Sequence, residues 1–219
     1  MSTENKETVK VYQRKASIYL KTSSVHDNLD MKRANSKREK LENLIKTSFS
    51  SLPEHSKILE IGCGEGKNSK YIQNLGFNVT ASDVATDFLE SANSLGVPSI
   101  FLDALEDSFP EKYNGVFCWR VFVHFTKDDA LHLIKKVYDN LEEHGIFILN
   151  ALNRQAKLID NEWIDFDNEY HLGEKRFYNY FSKETLDYII AQTSFIIKDF
   201  YTEGGNSNNK WLVYVLKKG

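Results

Sequence analysis

The stretch Leu59-Glu60-Ile61-Gly62-Cys63-Gly64-Glu65-Gly66-Lys67 constrains this chain more than any other. Its three alternating glycines follow the apolar run Ile58-Leu59-Glu60-Ile61 and precede Lys67–Leu75, which reads as a helix. A strand that enters a helix through a glycine turn can bring backbone very close to a ligand. Glycine reaches positive φ and carries no Cβ to collide with the bound group. The helix start leaves N–H groups facing it. Spacing then separates ligand classes: the dinucleotide fingerprint G-x-G-x-x-G needs its third glycine where Lys67 stands. A tight turn with no ligand is the alternative.

Around this turn, strand and helix patterns alternate. Lys57–Ile61 is a predicted strand, Lys67–Leu75 a helix ended by Gly76, and Phe77–Ala81 the second strand. A helix over Thr86–Leu95, a short strand Ser99–Leu102 and an apolar strand Gly115–Trp119 follow. Next come a helix over Lys127–Leu141 and a strand Gly145–Leu149. Such alternation predicts a parallel sheet with right-handed crossovers, a doubly wound α/β domain. Before it, residues 5–21 pattern as a helix with Val9, Tyr12, Ala16, Ile18 and Tyr19 roughly on one side. Thr22-Ser23-Ser24 is expected to break that helix, and Asp30 to cap a second one reaching about Ser48. After Asn150 the pattern changes. Residues 153–181 are rich in aromatics and charge, a helix runs from about Ser182 to Gln192, and Phe195–Tyr201 with Trp211–Leu216 form two closing antiparallel strands. We read one domain over 1–219: a helical lid or cap at 1–50, a cofactor-binding half at 55–151, and a substrate-side insertion with closing strands at 152–219.

The G-x-G-x-G turn with an acidic residue, Glu60, in the preceding strand resembles motif I of the class I S-adenosylmethionine-dependent methyltransferases. The Gly173–Ser182 segment and Lys210-Trp211-Leu212 resemble the matching parts of tellurite-resistance-type and related small-molecule methyltransferases, so the likeness extends over roughly residues 55–217. The resemblance implies a mostly parallel, Rossmann-like sheet of seven strands with the last one reversed. It also implies S-adenosylmethionine (SAM) as cofactor and methyl transfer to a small-molecule O, N or S acceptor. Gly62, Cys63, Gly64 and Gly66 would lie beside the methionine part of the cofactor, and Glu60 would meet its ammonium end directly or through water.

Asp83, at the end of the second strand, is the carboxylate expected to accept from both ribose hydroxyls, while a helix N-cap is its plainer role. Asp103 and the backbone of Ala104 would read adenine, with Val84 against its face; a turn aspartate and ordinary core packing are the alternatives. Ligands bind beyond the carboxyl ends of strands in open α/β sheets, which places Trp119, Arg120 and His124 at the reactive end. Many small-molecule members carry a short polar residue where Arg120 stands and a histidine a turn later. His124 matches and Arg120 departs. Arg120 can hold a substrate carboxylate or phosphate. His124 can act as a base, or be a buried histidine bonded to backbone. Tyr12, Tyr19, Arg176, Tyr178 and Tyr180 are candidate acceptor-pocket residues, with closure of a hydrophobic core as the alternative.

Composition excludes several other classes. A net charge of −3 argues against a broad nucleic-acid surface, and the basic run Lys32-Arg33 with Lys37-Arg38-Glu39-Lys40 reads as a solvated helix face. No apolar run approaches the ~18 residues of a membrane span, and the polar N-terminus lacks a signal-peptide core, so a cytoplasmic protein is expected. Cys63 and Cys118 read as reduced and buried. No metal-ligand spacing occurs. The expected partner is a small molecule, and the expected assembly a monomer or homodimer. Two readings compete with methyl transfer: intramolecular cyclisation of the cofactor's own aminobutyrate chain, releasing methylthioadenosine, and SAM sensing without turnover.

Overall fold

Five parallel strands order themselves around the glycine turn. The computed structural model describes all residues except Asp30, 157–158, 165–172 and 205–209, together with the backbone alone at 23–29, 31–34, 156, 204 and 210. Strands β1 (Lys57–Ile61), β2 (Asn78–Asp83), β3 (Ser99–Phe101), β4 (Tyr113–Cys118) and β5 (Leu141–Asn153) alternate with helices α3 (Lys67–Asn74), α4 (Thr86–Ser94) and α5 (Lys127–Asn140). β1 lies between β2 and β4, with Ile58 opposite Val79 on one side and Gly115 on the other. The order therefore reverses across β1, and the crevice this creates at the carboxyl end of β1 is where the glycines sit. Helix α6 (Lys183–Ile190) precedes β8 (Phe195–Gly204) and β9 (Lys210–Lys218). β9 runs antiparallel along β5 from Ile146/Lys217 to Leu152/Trp211, and β8 pairs with its far side. Seven strands in the order β3-β2-β1-β4-β5-β9-β8 form the main sheet, as the resemblance implied.

Two apolar layers sandwich this sheet. Leu44, Ile45 and Phe49 of α2 (Met31–Phe49), with Ile72 of α3 and Leu89 and Ala92 of α4, cover one face. Leu133, Ile134 and Val137 of α5, with Leu186, Ile189 and Ile190 of α6, cover the other. Thr126 starts α5 with a reciprocal capping box to Asp129, which accounts for that acidic residue structurally.

Two further strands, β6 (Asn161–Ile164) and β7 (Arg176–Phe181), occupy the segment that the sequence leaves without assigned structure. β5 is 13 residues long and outruns β4. β9 holds one edge of β5, so β4 (to Leu149) and β7 (at Leu152/Tyr180 and Asn153/Phe181) share the other. The β6–β7 ladder thus stands beyond the carboxyl end of β4, on the ligand side of the sheet.

Helix α1 (Thr3–Leu29) corrects one expectation: it runs through Thr22-Ser23-Ser24 without a break. The Thr22 hydroxyl bonds back to the carbonyls of Ile18 (3.0 Å) and Tyr19 (3.1 Å), which lets a polar residue remain inside the helix. The Asp30 cap falls outside the described residues. Helix α1 covers neither sheet face. Ala16, Tyr12 and Tyr19 pack on Ala85 and Phe88 at the start of α4, so the helix lies across the carboxyl edge.

A candidate cofactor cleft and the helix that roofs it

The cleft is built on three positive-φ glycines with different neighbours. A Cβ on Gly62 (φ 70°) would approach Val121 Cγ2 at 2.4 Å, and one on Gly66 (φ 79°) would lie 2.7 Å from Ala92 Cα. Those two glycines let the turn pack against Val121, in the loop after β4, and against α4. Gly64 (φ 51°) differs: nothing lies within 4 Å of its would-be Cβ. Its backbone faces open space, the geometry a close-approaching ligand needs.

Two buried carboxylates support this turn. Glu60 is 1% exposed and accepts from Asn68 Nδ2 (3.2 Å) and the Ser69 hydroxyl at the start of α3. Burial pushes its carboxyl up to about 7 against the lowering effect of those bonds. Asp83 accepts at Oδ1 from the N–H groups of Val84 (2.8 Å) and Ala85 (3.1 Å), and at Oδ2 from Gly64 N–H (3.0 Å). Burial raises it to about 6 although all three bonds oppose the shift. A carboxylate offers about four acceptor positions, so three are already filled by backbone. Asp83 therefore fastens the glycine turn to the end of β2, using three of its roughly four acceptor positions.

Asp103 behaves partly as the turn residue it was weighed against. Its Oδ1 accepts from Leu105 N (3.1 Å) and Glu106 N (3.3 Å), and burial raises its carboxyl. Ala104 is buried and Val84 half-buried. Trp119 stacks on Phe117 with ring centroids 5.7 Å apart, which holds its indole at the end of β4. Burial pushes the thiols of Cys63 and Cys118 up, so both are inert packing groups.

Beyond the end of β4, Arg120 adopts φ 62°, rare outside glycine, and its N–H donates to Asn150 Oδ1 at 2.6 Å. Its guanidinium lies 5.7 Å from the Trp211 ring centre. His124 is buried; its Nδ1 meets the Phe177 carbonyl at 2.7 Å, and its Nε2 meets the Tyr12 hydroxyl at 2.9 Å. A carbonyl only accepts, so Nδ1 carries the proton and Nε2 accepts from Tyr12. Burial, helped by the Arg176 charge, lowers the imidazole to about 3. Arg176 Nη1 donates to the same Tyr12 oxygen at 2.7 Å, with its guanidinium over the Tyr12 and Tyr178 rings.

Tyr12, Tyr178, Arg176 and His124 are thus brought together. Tyr19 packs on Phe88 (5.6 Å between ring centres), one step toward α4. Tyr180 turns to β6, where its hydroxyl donates to Glu162 at 2.5 Å. Residues that sequence reading missed are the anchors. Asn5 Nδ2 donates to the His124 carbonyl (3.2 Å), and Thr8 Oγ1 accepts from Phe177 N–H (3.0 Å). Asn68, Ser69 and Asn150 hold Glu60 and Arg120. Only Asn150 carried a signal, as a polar residue closing an apolar strand.

Family comparison decides what this cleft belongs to. The methyltransferase domain family matches residues 32–195, well over half of the sequence. The chain is a member of that family. It is 30% identical over 126 residues to the ubiquinone biosynthesis O-methyltransferase of Rickettsia canadensis, covering 54% of this chain and 52% of that one. It is 28% identical over 94 residues to the probable S-adenosyl-L-methionine-dependent methyltransferase TehB of Haemophilus influenzae, covering 40% and 32%. The chain thus spans about half the length of the first relative and about a third of the second. The crystal structure of an S-adenosylmethionine-dependent methyltransferase from Clostridium acetobutylicum superposes with a TM-score of 0.72 at 17% identity, over 92% of this chain and 99% of that one. The fold is the Rossmann-like methyltransferase fold. SAM is the family's cofactor, and the open Gly64 backbone with two acids beneath it fits such a ligand.

Proposed function

We propose that this protein transfers the methyl group of SAM to a small-molecule nucleophile. The observation that carries the reading is Gly64, a positive-φ glycine open on its Cβ side and fastened by its N–H to Asp83. When bound, the cofactor supplies an electrophilic methyl on a sulfonium. The chain's residues bind and orient. Gly62, Cys63, Gly64 and Gly66 accommodate the methionine portion, with Glu60 answering its ammonium. Asp83 takes a ribose hydroxyl, Asp103 and Ala104 the adenine edge, Val84 its face, and Trp119 flanks the reactive end. Arg120, Tyr12, Tyr19, Arg176, Tyr178 and Tyr180 line the acceptor side. An acidic balance of −3 speaks against nucleic acid as the acceptor. Among the described residues no helix is long and apolar enough to cross a membrane. A cytoplasmic monomer or homodimer completes the proposal. Product analysis after incubation with SAM tests it: S-adenosylhomocysteine (SAH) and a methylated acceptor are expected, whereas methylthioadenosine would replace transfer by cyclisation.

We also propose that α1 is a lid. It bridges α4, the turn at His124 and β7, spanning the end of β1 that any ligand must cross. Closure of this kind excludes water from a reacting centre. Hydrogen exchange over residues 5–22 is expected to slow when SAH binds. Equal protection in both states would make α1 a fixed part of the scaffold.

A further inference from the structure

Arg120 holds a backbone conformation that favours glycine, at the reversal of the chain after β4. Left-handed backbone strains a residue that has a side chain, and it persists only where the surroundings enforce it. Two neighbours do so. Asn150, 1% exposed, accepts the Arg120 N–H, and the next residue, Val121, packs over Gly62. The reversal thus adjoins the glycine turn on one side. On the other, the guanidinium lies over Trp211, which pairs with Leu152 two residues beyond Asn150. The side chain therefore runs from the end of β4 across β5 to the start of β9, away from β1 and its glycines. With Asp83 after β2 and Asp103 after β3 taking the nucleoside, the cofactor extends the opposite way, and the acceptor is left the space over β4 and β5.

The cation in that space has no counter-charge. Arg14, Arg38 and Arg154 each pair with a carboxylate. Arg120 pairs with none among the described residues; its backbone meets the Asn150 amide and its guanidinium the Trp211 ring. A ring face attracts the charge without supplying an acceptor oxygen. The forked N–H edge of a guanidinium matches two oxygens of a carboxylate or phosphate.

Resting on the methyl-transfer reading, we infer that the acceptor carries an oxyanion, a carboxylate or phosphate, which docks on Arg120 while another of its atoms receives the methyl. The oxyanion is the handle, because pairing with a guanidinium stabilises the oxygen lone pairs and lowers their reactivity. The lone pair of the nucleophilic atom forms the new bond to CH3 as the S–CH3 bond breaks, with its electrons remaining on sulfur. A proton carried by that atom passes to water.

Incubation of the full chain with SAM labelled by carbon-13 in its methyl group and a deproteinised cell extract tests this. The labelled product should keep a carboxylate, shown by a mass shift on carbodiimide coupling to an amine, or a phosphate, shown by its loss to phosphatase. For that acceptor Arg120→Gln should lower kcat/KM by at least about tenfold, mostly through KM, while SAH affinity stays within about twofold. Arg120→Lys should recover only part of the loss, since an ammonium lacks the fork. The wild-type KM should rise with salt more steeply than that of Arg120→Gln. A product with neither carboxylate nor phosphate, a methyl ester of the acid itself, or undiminished transfer by Arg120→Gln would each overturn the inference and leave methyl transfer standing. Binding of SAH without any transfer would bring down both.

Discussion

Gly64→Leu is expected to abolish cofactor binding in a protein that still folds, whereas Gly66→Ala should damage the fold itself. The contrast follows from what each missing Cβ would meet. At Gly64 the protein offers no atom within 4 Å, so a leucine there costs only its left-handed backbone, about 1–2 kcal/mol. Its side chain nevertheless fills the space in front of the turn. At Gly66 the added carbon falls 2.7 Å from Ala92 Cα and 2.8 Å from its Cβ, both on the fixed backbone of α4. Helix and turn must separate, at a cost typical of overpacking, roughly 1–3 kcal/mol beyond the conformational strain. Calorimetry with SAH should therefore show no measurable binding by Gly64→Leu, with a Tm shift of only several degrees. Gly66→Ala should show the larger Tm loss. Intact SAH affinity in folded Gly64→Leu would remove the ligand from the glycine turn and leave a structural turn in its place.

Part of this site is legible in sequence because local chemistry dictates it. The β1 run, the glycine turn and α3 are adjacent in the chain, and each imposes its own backbone conformation. Asp83 follows directly from the end of β2. The acceptor side is less legible, for identifiable reasons. β7 buries all six residues from Arg176 to Phe181, including a guanidinium and Asn179. A strand covered on both sides shows no alternation, and buried polar residues disguise it further. Its partners are Thr8 and His124, more than a hundred and about fifty residues away, and no local pattern announces such contacts. Tyr12 could be seen as part of an apolar stripe, but its bonds to His124 and Arg176 depend on where α1 crosses the sheet. The proposed break at Thr22 failed because a hydroxyl can bond within its own helix.

Asp83→Asn is expected to weaken SAM and SAH binding alike, by at least about tenfold, and to lower thermal stability. The carboxylate accepts three backbone N–H groups, from Gly64, Val84 and Ala85. An asparagine turns an NH2 group toward one side of that set, setting donor against donor, and loses charge-assisted bonds worth about 1.5–3 kcal/mol each. The glycine turn loses its tether to β2, so both ligands suffer, since both carry the ribose and both lie on the turn. Acidification should imitate the substitution. Burial raises the wild-type carboxyl to about 6, so a falling pH protonates it in the range where ordinary aspartates remain charged. Affinity in the wild type should drop as pH falls through about 6, and the asparagine variant should lack that slope. Stability of the ligand-free protein responds with the opposite sign. A folded-state pKa above the unfolded one means that the native state binds the proton more readily, so this group's contribution to stability is full below about 3.8 and is lost as pH rises through about 6. Ligand affinity should climb across the interval in which Asp83's contribution to unliganded stability declines. Parallel rather than opposed slopes would mean that the carboxylate serves the fold alone.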